Sequence, residues 1–133
     1  MDADAAARAW IDAWQRAWPA KDPELLAAAY ADDVVFRSQP FRELHLGREG
    51  VLEYARWAFA EQEAFGGCWF GEPVATGDRA SVEYWAIFVE NGRPVTIAGV
   101  ALLRFDGEGR VVGQRDYWSL EPGSREPPEG WGN

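Results

Sequence analysis

From Cys68 to Leu120, hydrophobic residues recur with a period of two, and short turns interrupt the pattern. This run limits the fold most, because successive side chains of a β-strand point to opposite faces and produce that period. Asn91-Gly92 is a strong hairpin signal, and Thr76–Arg79 and Asp106–Gly109 have turn compositions. The pattern therefore predicts a meander of four antiparallel strands: Cys68–Thr76, Ala80–Glu90, Pro94–Phe105 and Val111–Leu120.

The first half of the chain has the period of an α-helix instead. The first predicted helix, Ala3–Trp18, carries an apolar stripe in which tryptophans lie four residues apart. An aspartate caps its start, either Asp2 or Asp4, and Pro19 ends it. The remaining predicted elements are helix Pro23–Tyr30, strand Val34–Ser38, loop Gln39–Gly47 and helix Arg48–Glu63.

Helices followed by a run of strands are typical of an α+β fold, in which helices pack on one face of an antiparallel sheet. The middle strands are apolar on both faces, with Tyr84 and Phe88 on one and Trp85 and Ile87 on the other. Because the helices cover only one face, we expect a homodimer in which the second faces of two sheets pack together. A strongly curved sheet whose second face stays half exposed is the alternative.

Glu83 shares the predicted outer face with Trp85. We expect it to pair across the dimer, and Arg37 and Arg115 are either its partners or surface charges. A register that differs by one residue would instead place Glu83 on the inner face as a second carboxylate.

The last predicted strand has a carboxylate at the centre of an otherwise bulky, mostly apolar face. Asp116 shares this face with Gln114 and Trp118, two residues away on either side. An isolated ionised carboxylate in apolar surroundings is costly, so it either finds a partner or has a raised pKa. Asp116 is therefore either a paired structural acid or a functional acid, and the pattern leaves both possibilities open.

Composition and charge exclude several classes of function. The 133 residues suit a single domain, predicted as 1–120, followed by a Pro/Gly-rich tail, 121–133. The formal net charge of -9 disfavours nucleic acid and anionic membranes as partners. Neither a signal peptide nor a membrane span is visible, so we expect a cytoplasmic protein. One His and one Cys offer no metal-ligand spacing, and we expect no cofactor.

Three segments together resemble the nuclear transport factor 2-like superfamily, and within it the SnoaL-like, polyketide-cyclase-like proteins. They are D-P-E-L-L-A-A-A-Y-A-D-D-V-V-F (Asp22–Phe36), G-R-E-G-V (Gly47–Val51) and L-R-F-D-G-E-G-R-V-V (Leu103–Val112). The resemblance covers Ala3–Leu120. It implies a cone: a curved antiparallel sheet, made of the four-strand meander and one short strand, with three helices on its concave face. It implies little about activity, because the fold hosts enzymes, ligand binders and association domains.

The catalytic groups of better-defined members of this superfamily are absent at the matching positions. Ketosteroid isomerase has a catalytic Asp, an oxyanion-binding Tyr and a protonated Asp where this chain has Ser38, Trp14 and Ala101. Scytalone dehydratase uses two histidines, whereas His45 is the single one here. Limonene-epoxide hydrolase would require an acid on the third meander strand, which has none between residues 95 and 103. The SnoaL-like arrangement remains, in which an Asp on the final strand acts as general acid/base, and Asp116 is similar in position.

The candidate site follows from this register and from the face alternation. Asp116 is the candidate general acid/base, and Trp131 in the tail either pins the tail or covers the cavity. The expected ligand-contacting residues are Trp14, Ser38, His45, Tyr84, Gln114 and Trp118. We expect an apolar, carbonyl-bearing small molecule in an aromatic cavity, with cofactor-free isomerase, cyclase or lyase chemistry. A non-catalytic ligand-binding or dimeric association module is the alternative, and the tryptophans would then form a close-packed core.

Overall fold

The computed structural model describes Met1–Asn133 and has three helices and seven strands. In chain order these elements are α1 (Ala3–Ala20), a 3₁₀ helix (Pro23–Ala29), β1 (Tyr30–Arg37), β2 (Leu44–Leu46), α2 (Gly47–Glu61), β3 (Ala64–Phe70), β4 (Val74–Thr76), β5 (Arg79–Glu90), β6 (Arg93–Phe105) and β7 (Val111–Pro122). None of the helices is both long and apolar enough to cross a membrane.

The strands form one open, curved sheet in the order β2-β1-β7-β6-β5-β3, and β4 pairs with β5 beside that path. β1 runs parallel to β7, with Val35 opposite Gly113, while the other pairings are antiparallel. The α+β class is therefore as predicted, but the sheet is mixed and has seven strands instead of the five expected. The parallel pairing of β1 with β7 was not predicted, because it joins distant segments of the chain and local periodicity does not encode such a pairing.

The ends of α1 differ from the prediction at one side only. Asp2 caps the start, where its carboxylate accepts hydrogen bonds from the backbone N–H groups of Asp4 and Ala5. Pro19 does not end the helix but lies in its last turn, where a proline removes one hydrogen bond without preventing the turn. The helix ends at Lys21, which adopts a left-handed conformation with φ of 51°.

β1 begins at Tyr30, four positions before the predicted start at Val34. Asp32 and Asp33, which lie between the predicted helix and the predicted strand, are both exposed within a continuous strand. The pairing of β1 with β7 shifts register between Tyr30 and Val35, which marks an irregularity of the bulge type. This irregularity lets the two acids reach solvent while Tyr30 and Val34 stay buried.

Two further segments were assigned wrongly from the local pattern. The predicted loop Gln39–Gly47 contains β2, which pairs with the end of β1. Gly66 and Gly67, which fall between the predicted helix Arg48–Glu63 and the predicted strand Cys68–Thr76, lie inside β3 at a register shift relative to β5. A Cβ atom on Gly66 would lie 3.0 Å from Cγ2 of Ile87, so a small residue is needed where the strands approach closely.

The hydrophobic core lies between the helices and the inner face of the sheet, which carries the even-numbered residues of β5. The C-terminal tail lies on the outer face. The Trp131 ring packs edge-on against Trp85 with 5.9 Å between ring centroids, and the Trp85 indole N–H donates to the carbonyl of Arg125 at 2.7 Å. The tail therefore covers part of the apolar face on which we predicted a dimer, and Trp131 is on the opposite side of the sheet from the core.

Glu83 lies opposite Val100 on the outer face, so the shifted register that would place it inside does not occur. It is exposed and forms no ion pair with Arg37 or Arg115 within the chain.

Candidate functional site

A cavity of about 400 Å³ lies between the helices and the inner face of the sheet. This volume is in the range of small-molecule sites, which are mostly apolar with a few polar groups. Fourteen of its 21 lining residues are hydrophobic. The lining residues are Trp10, Trp14, Trp18, Phe36, Arg42, Tyr54, Trp57, Ala58, Phe59, Glu61, Gln62, Phe70, Tyr84, Phe88, Glu90, Asn91, Ile97, Gln114, Asp116, Trp118 and Leu120.

The sheet places the polar groups of the cavity by simple alternation. From Gln114 to Leu120 the even-numbered residues of β7 face inward, after a register shift that leaves Val112 on the outer side. Small residues of β6 lie opposite two of them: Gly99 opposite Trp118 and Ala101 opposite Asp116. A Cβ atom on Gly99 would lie 2.5 Å from Cβ of Trp118. The absence of a side chain at this position therefore makes room for the indole.

Asp116 forms two hydrogen bonds with neutral groups and no ion pair. The Tyr84 hydroxyl donates to Oδ2 at 3.1 Å, and Nε2 of Gln114 donates to Oδ1 at 3.0 Å. Burial raises the pKa of Asp116 to about 7, although both hydrogen bonds favour the ionised form and act in the opposite direction. The side chain keeps partial exposure because it faces the cavity. Asp116 is therefore paired by hydrogen bonds but not by a salt bridge, and both possibilities that the sequence left open remain.

Tyr30 connects Asp116 to the tryptophans of α1. Its hydroxyl accepts hydrogen bonds from the indole N–H groups of Trp10 and Trp14, both at 3.0 Å, and donates to Oε1 of Gln114 at 2.6 Å. Because both indoles can only donate, the Tyr30 proton must point to Gln114. This polarity turns the Gln114 amide so that its NH₂ group faces Asp116. The sequence reasoning missed Tyr30, which it placed at the end of a helix.

One end of the cavity is formed by the segment between β1 and β2. The Trp118 indole N–H donates to the backbone carbonyl of Ser38 at 2.6 Å. The Arg42 guanidinium lies 6.0 Å from the centroid of the Trp118 ring, a distance that fits a cation–π contact. Phe41 is fully exposed and Trp57 is 52% exposed, so two large aromatic side chains face solvent near this end.

Of the ligand-contacting residues predicted from the sequence, Trp14, Tyr84, Gln114 and Trp118 line the cavity together with Asp116. Ser38 and His45 are not among the lining residues. This list also contains Tyr54 and Arg42, which the sequence reasoning did not select.

Ser38 is buried, and its Oγ makes no hydrogen bond of standard geometry. His45 lies on β2 and packs against Phe36 and Tyr54, at 5.6 Å and 4.8 Å between ring centroids. Burial lowers the pKa of His45. Tyr54 stands between this group and the cavity, and burial, assisted by the charge of Asp116, raises its pKa to about 12.

No group of three or more His, Cys, Asp or Glu residues is arranged so that it could hold a metal ion. Cys68 is a half-buried free thiol whose pKa burial raises to about 11. Asp116, with a pKa of about 7, is a cavity-lining group that can gain or lose a proton near neutral pH.

Comparison with known proteins identifies the family. The model of the SnoaL-like domain matches residues 7–114. The chain belongs to the SnoaL-like domain family. No curated protein matches this SnoaL-like sequence significantly.

Solved structures share the fold of this SnoaL-like protein at low sequence identity. One is the epoxide hydrolase/cyclase-like enzyme SalBIII, described for pyran ring formation in the polyether salinomycin, with a TM-score of 0.77, 16% identity and coverage of 91% of this chain and 98% of that chain. Another is RV0760c from Mycobacterium tuberculosis. Its TM-score is 0.75 and its sequence identity is 20%, and the match covers 92% of this chain and 99% of that chain. A third is a hypothetical protein from Catenulispora acidiphila with a ketosteroid isomerase-like fold, in complex with trimethylamine. Its TM-score is 0.68 and its sequence identity is 22%, and the match covers 82% of this chain and 84% of that chain.

Proposed function

We propose that this SnoaL-like protein binds an apolar, carbonyl-bearing small molecule in its cavity and catalyses proton transfer with Asp116, without a cofactor. The reaction is of the isomerase, cyclase or lyase type. The observation that carries the proposal is the state of Asp116: a cavity-facing carboxyl group with no ion-pair partner and a pKa near 7. A general acid/base works best when its pKa lies near the working pH.

The hydrogen bonds around Asp116 support this role. Each carboxylate oxygen has two lone-pair sites, and Tyr84 and Gln114 occupy one on each oxygen. The remaining sites are free to accept a proton from a ligand in the cavity. After the transfer, the neutral acid is favoured by its burial, while Tyr84 and Gln114 keep the carboxyl group in place.

Tyr54 and Arg42 are candidate donors to a ligand oxygen. The Tyr54 side chain lines the cavity, and its hydroxyl, whose pKa burial raises to about 12, carries a proton at neutral pH. Arg42 supplies a cation beside Trp118. A carbonyl oxygen that gains negative charge during proton abstraction is stabilised by donors of this kind.

Solvent exchange tests the proposal. Cyclic ketones and β-keto esters are incubated with the protein in D₂O, and loss of the α-proton signal is followed by NMR. We expect the wild type to exchange the α-protons faster than buffer alone does. Asp33→Asn, a matched change of an exposed carboxylate, should exchange them at the rate of the wild type. Asp116→Asn keeps the shape and lowers the rate by roughly 10²–10⁴-fold. Equal exchange rates for the wild type and Asp116→Asn would refute the role of Asp116.

The second candidate is a non-catalytic ligand-binding module. It is favoured by the hydrogen bonds that Asp116 already accepts and by the largely apolar lining of the cavity. Quenching of tryptophan fluorescence by the same ketones separates the two functions. Quenching without α-proton exchange supports binding alone, whereas quenching with exchange that depends on Asp116 supports catalysis.

We also propose that two copies associate through the outer face of the sheet. Tyr117, which is 47% exposed, and Val100 lie opposite each other there, beside Glu83, in the part that the tail leaves open. Sedimentation should give the mass of a dimer, and Tyr117→Glu should shift it toward the monomer because it introduces a charge into an apolar contact. A monomeric wild type at micromolar concentration contradicts this proposal.

A further inference from the structure

A second concave region lies on the outer face of the sheet, on the opposite side from the cavity. It has a volume of about 480 Å³ and is lined by 13 residues from β1, β4, β5, β6 and β7. Three of them are arginines, Arg79, Arg104 and Arg115, and none is Asp or Glu. We call this region the arginine groove. Its local charge is opposite to the net charge of -9 of the whole chain.

The strand register brings these arginines close together. Arg79 on β5 lies directly opposite Arg104 on β6, and Arg37 on β1 lies directly opposite Arg115 on β7. Neighbouring strands are only about 5 Å apart, and like charges placed opposite each other destabilise a sheet. Four arginines, the three of the groove and Arg37 opposite Arg115, therefore lie on four adjacent strands, and none of them has an acid as its register partner.

The chain supplies almost no compensating negative charge. Arg79 approaches only Asp78, its neighbour in sequence, at 3.8 Å, and no acid lies within ion-pair distance of the other three arginines. The Arg37 Nε atom is buried and has no hydrogen-bond partner. The Arg104 side chain lies close to Gly113, because a Cβ atom at position 113 would be in ordinary van der Waals contact, at 3.8 Å, with its Nε and Nη2 atoms.

We propose that the arginine groove binds a small, multiply charged oxyanion, such as a phosphate group or a compact polycarboxylate. Guanidinium groups present pairs of N–H donors whose spacing matches two oxygens of such an anion. An anion in the groove replaces the repulsion between facing arginines with attraction. The negative charge of the rest of the surface disfavours an extended polyanion, so the ligand is a small one. The proposal is independent of the reaction in the cavity.

Thermal unfolding tests this site with inorganic phosphate as the probe and with chloride at equal ionic strength as the reference. A ligand that binds only the folded state raises the melting temperature, and we expect about 3–5 °C near saturation. Arg104→Gln and Arg115→Gln should lose this gain. Arg93→Gln, on the same strand as Arg104 but outside the groove, should keep it. Citrate in place of phosphate separates planar carboxylates from tetrahedral oxyanions.

The same variants give a second readout in low-salt buffer without phosphate or citrate. Removing one of two facing arginines relieves repulsion, so Arg115→Gln should melt at or above the temperature of the wild type. Two results would overturn the proposal. One is a phosphate effect equal to that of chloride. The other is a dimer that Arg115→Gln dissociates, with no phosphate effect on the wild type, which would show that a second copy occupies the groove.

Discussion

The two faces of β7 place ionisable groups in opposite situations. Asp116 faces inward among neutral hydrogen-bond donors, and burial raises its pKa to about 7. Arg115, one residue earlier, faces outward beside other arginines. Inside, burial and hydrogen bonds from neutral donors control the charge of Asp116. Outside, several like charges are arranged by strand register alone.

The largest expected effect concerns the charge inside. Since the folded-state pKa of Asp116 is raised to about 7 from 3.8, the neutral acid stabilises the fold. That contribution is fully present below the pKa of the unfolded chain and is lost as pH rises through about 7. The unfolding free energy should therefore fall between pH 4 and 7, by up to roughly 4 kcal/mol.

Urea denaturation at several pH values measures this dependence, and Asp116→Asn removes it. The lowered pKa of His45 acts in the opposite direction, because a buried neutral histidine adds stability as pH rises. The contribution of His45 is the same in both proteins, so it cancels when the unfolding free energy of Asp116→Asn is subtracted from that of the wild type. Catalysis by the ionised form should increase over the same range. A difference that does not change with pH would show that Asp116 has an ordinary pKa.

The second prediction concerns the close approach of β6 and β7 at Gly99. Its substitution by alanine would place Cβ 2.3 Å from the carbonyl oxygen of Tyr117 and 2.5 Å from Cβ of Trp118. Because one of these atoms is backbone, β6 and β7 must separate, and we expect a loss of about 3 kcal/mol in urea denaturation. Ala98→Ser, at the neighbouring outward position, is the control and should change stability little. A loss of less than 1 kcal/mol in Gly99→Ala would show that the strands adapt easily.

These predictions rest on features that differ in how visible they are in the sequence. The period of two along β7 was enough to place Asp116, Gln114 and Trp118 on one face, because alternation is a local property of a strand. Tyr30 was not visible, because its role depends on β1 lying parallel to β7, and no local pattern encodes a pairing between distant segments. The position of Arg37 opposite Arg115, beside the arginine groove, has the same origin, because only that pairing brings the two residues together.

The third prediction tests the connection between α1 and Asp116. Tyr30→Phe removes the acceptor of two indole N–H groups and the donor to Gln114. A buried group left without a partner costs about 1–3 kcal/mol, so we expect a loss of about 2 kcal/mol. The Trp10 indole also lies 3.1 Å from Oε1 of Gln114 and keeps the amide partly oriented. The pKa of Asp116, followed by NMR, should therefore rise only slightly, and a large rise would mean that Tyr30 alone orients Gln114.

The smallest effect is expected on the outer face, at the tail. Trp131→Ala removes the contact with Trp85, while the hydrogen bond from the Trp85 indole to Arg125 remains. Because Trp131 is only partly buried, we expect a loss of about 1 kcal/mol in urea denaturation. The α-proton exchange rate should not change, since the sheet separates Trp131 from the cavity. A variant that unfolds like the wild type but exchanges α-protons more slowly would show that the two faces are coupled through β5, the strand that carries both Trp85 and Tyr84.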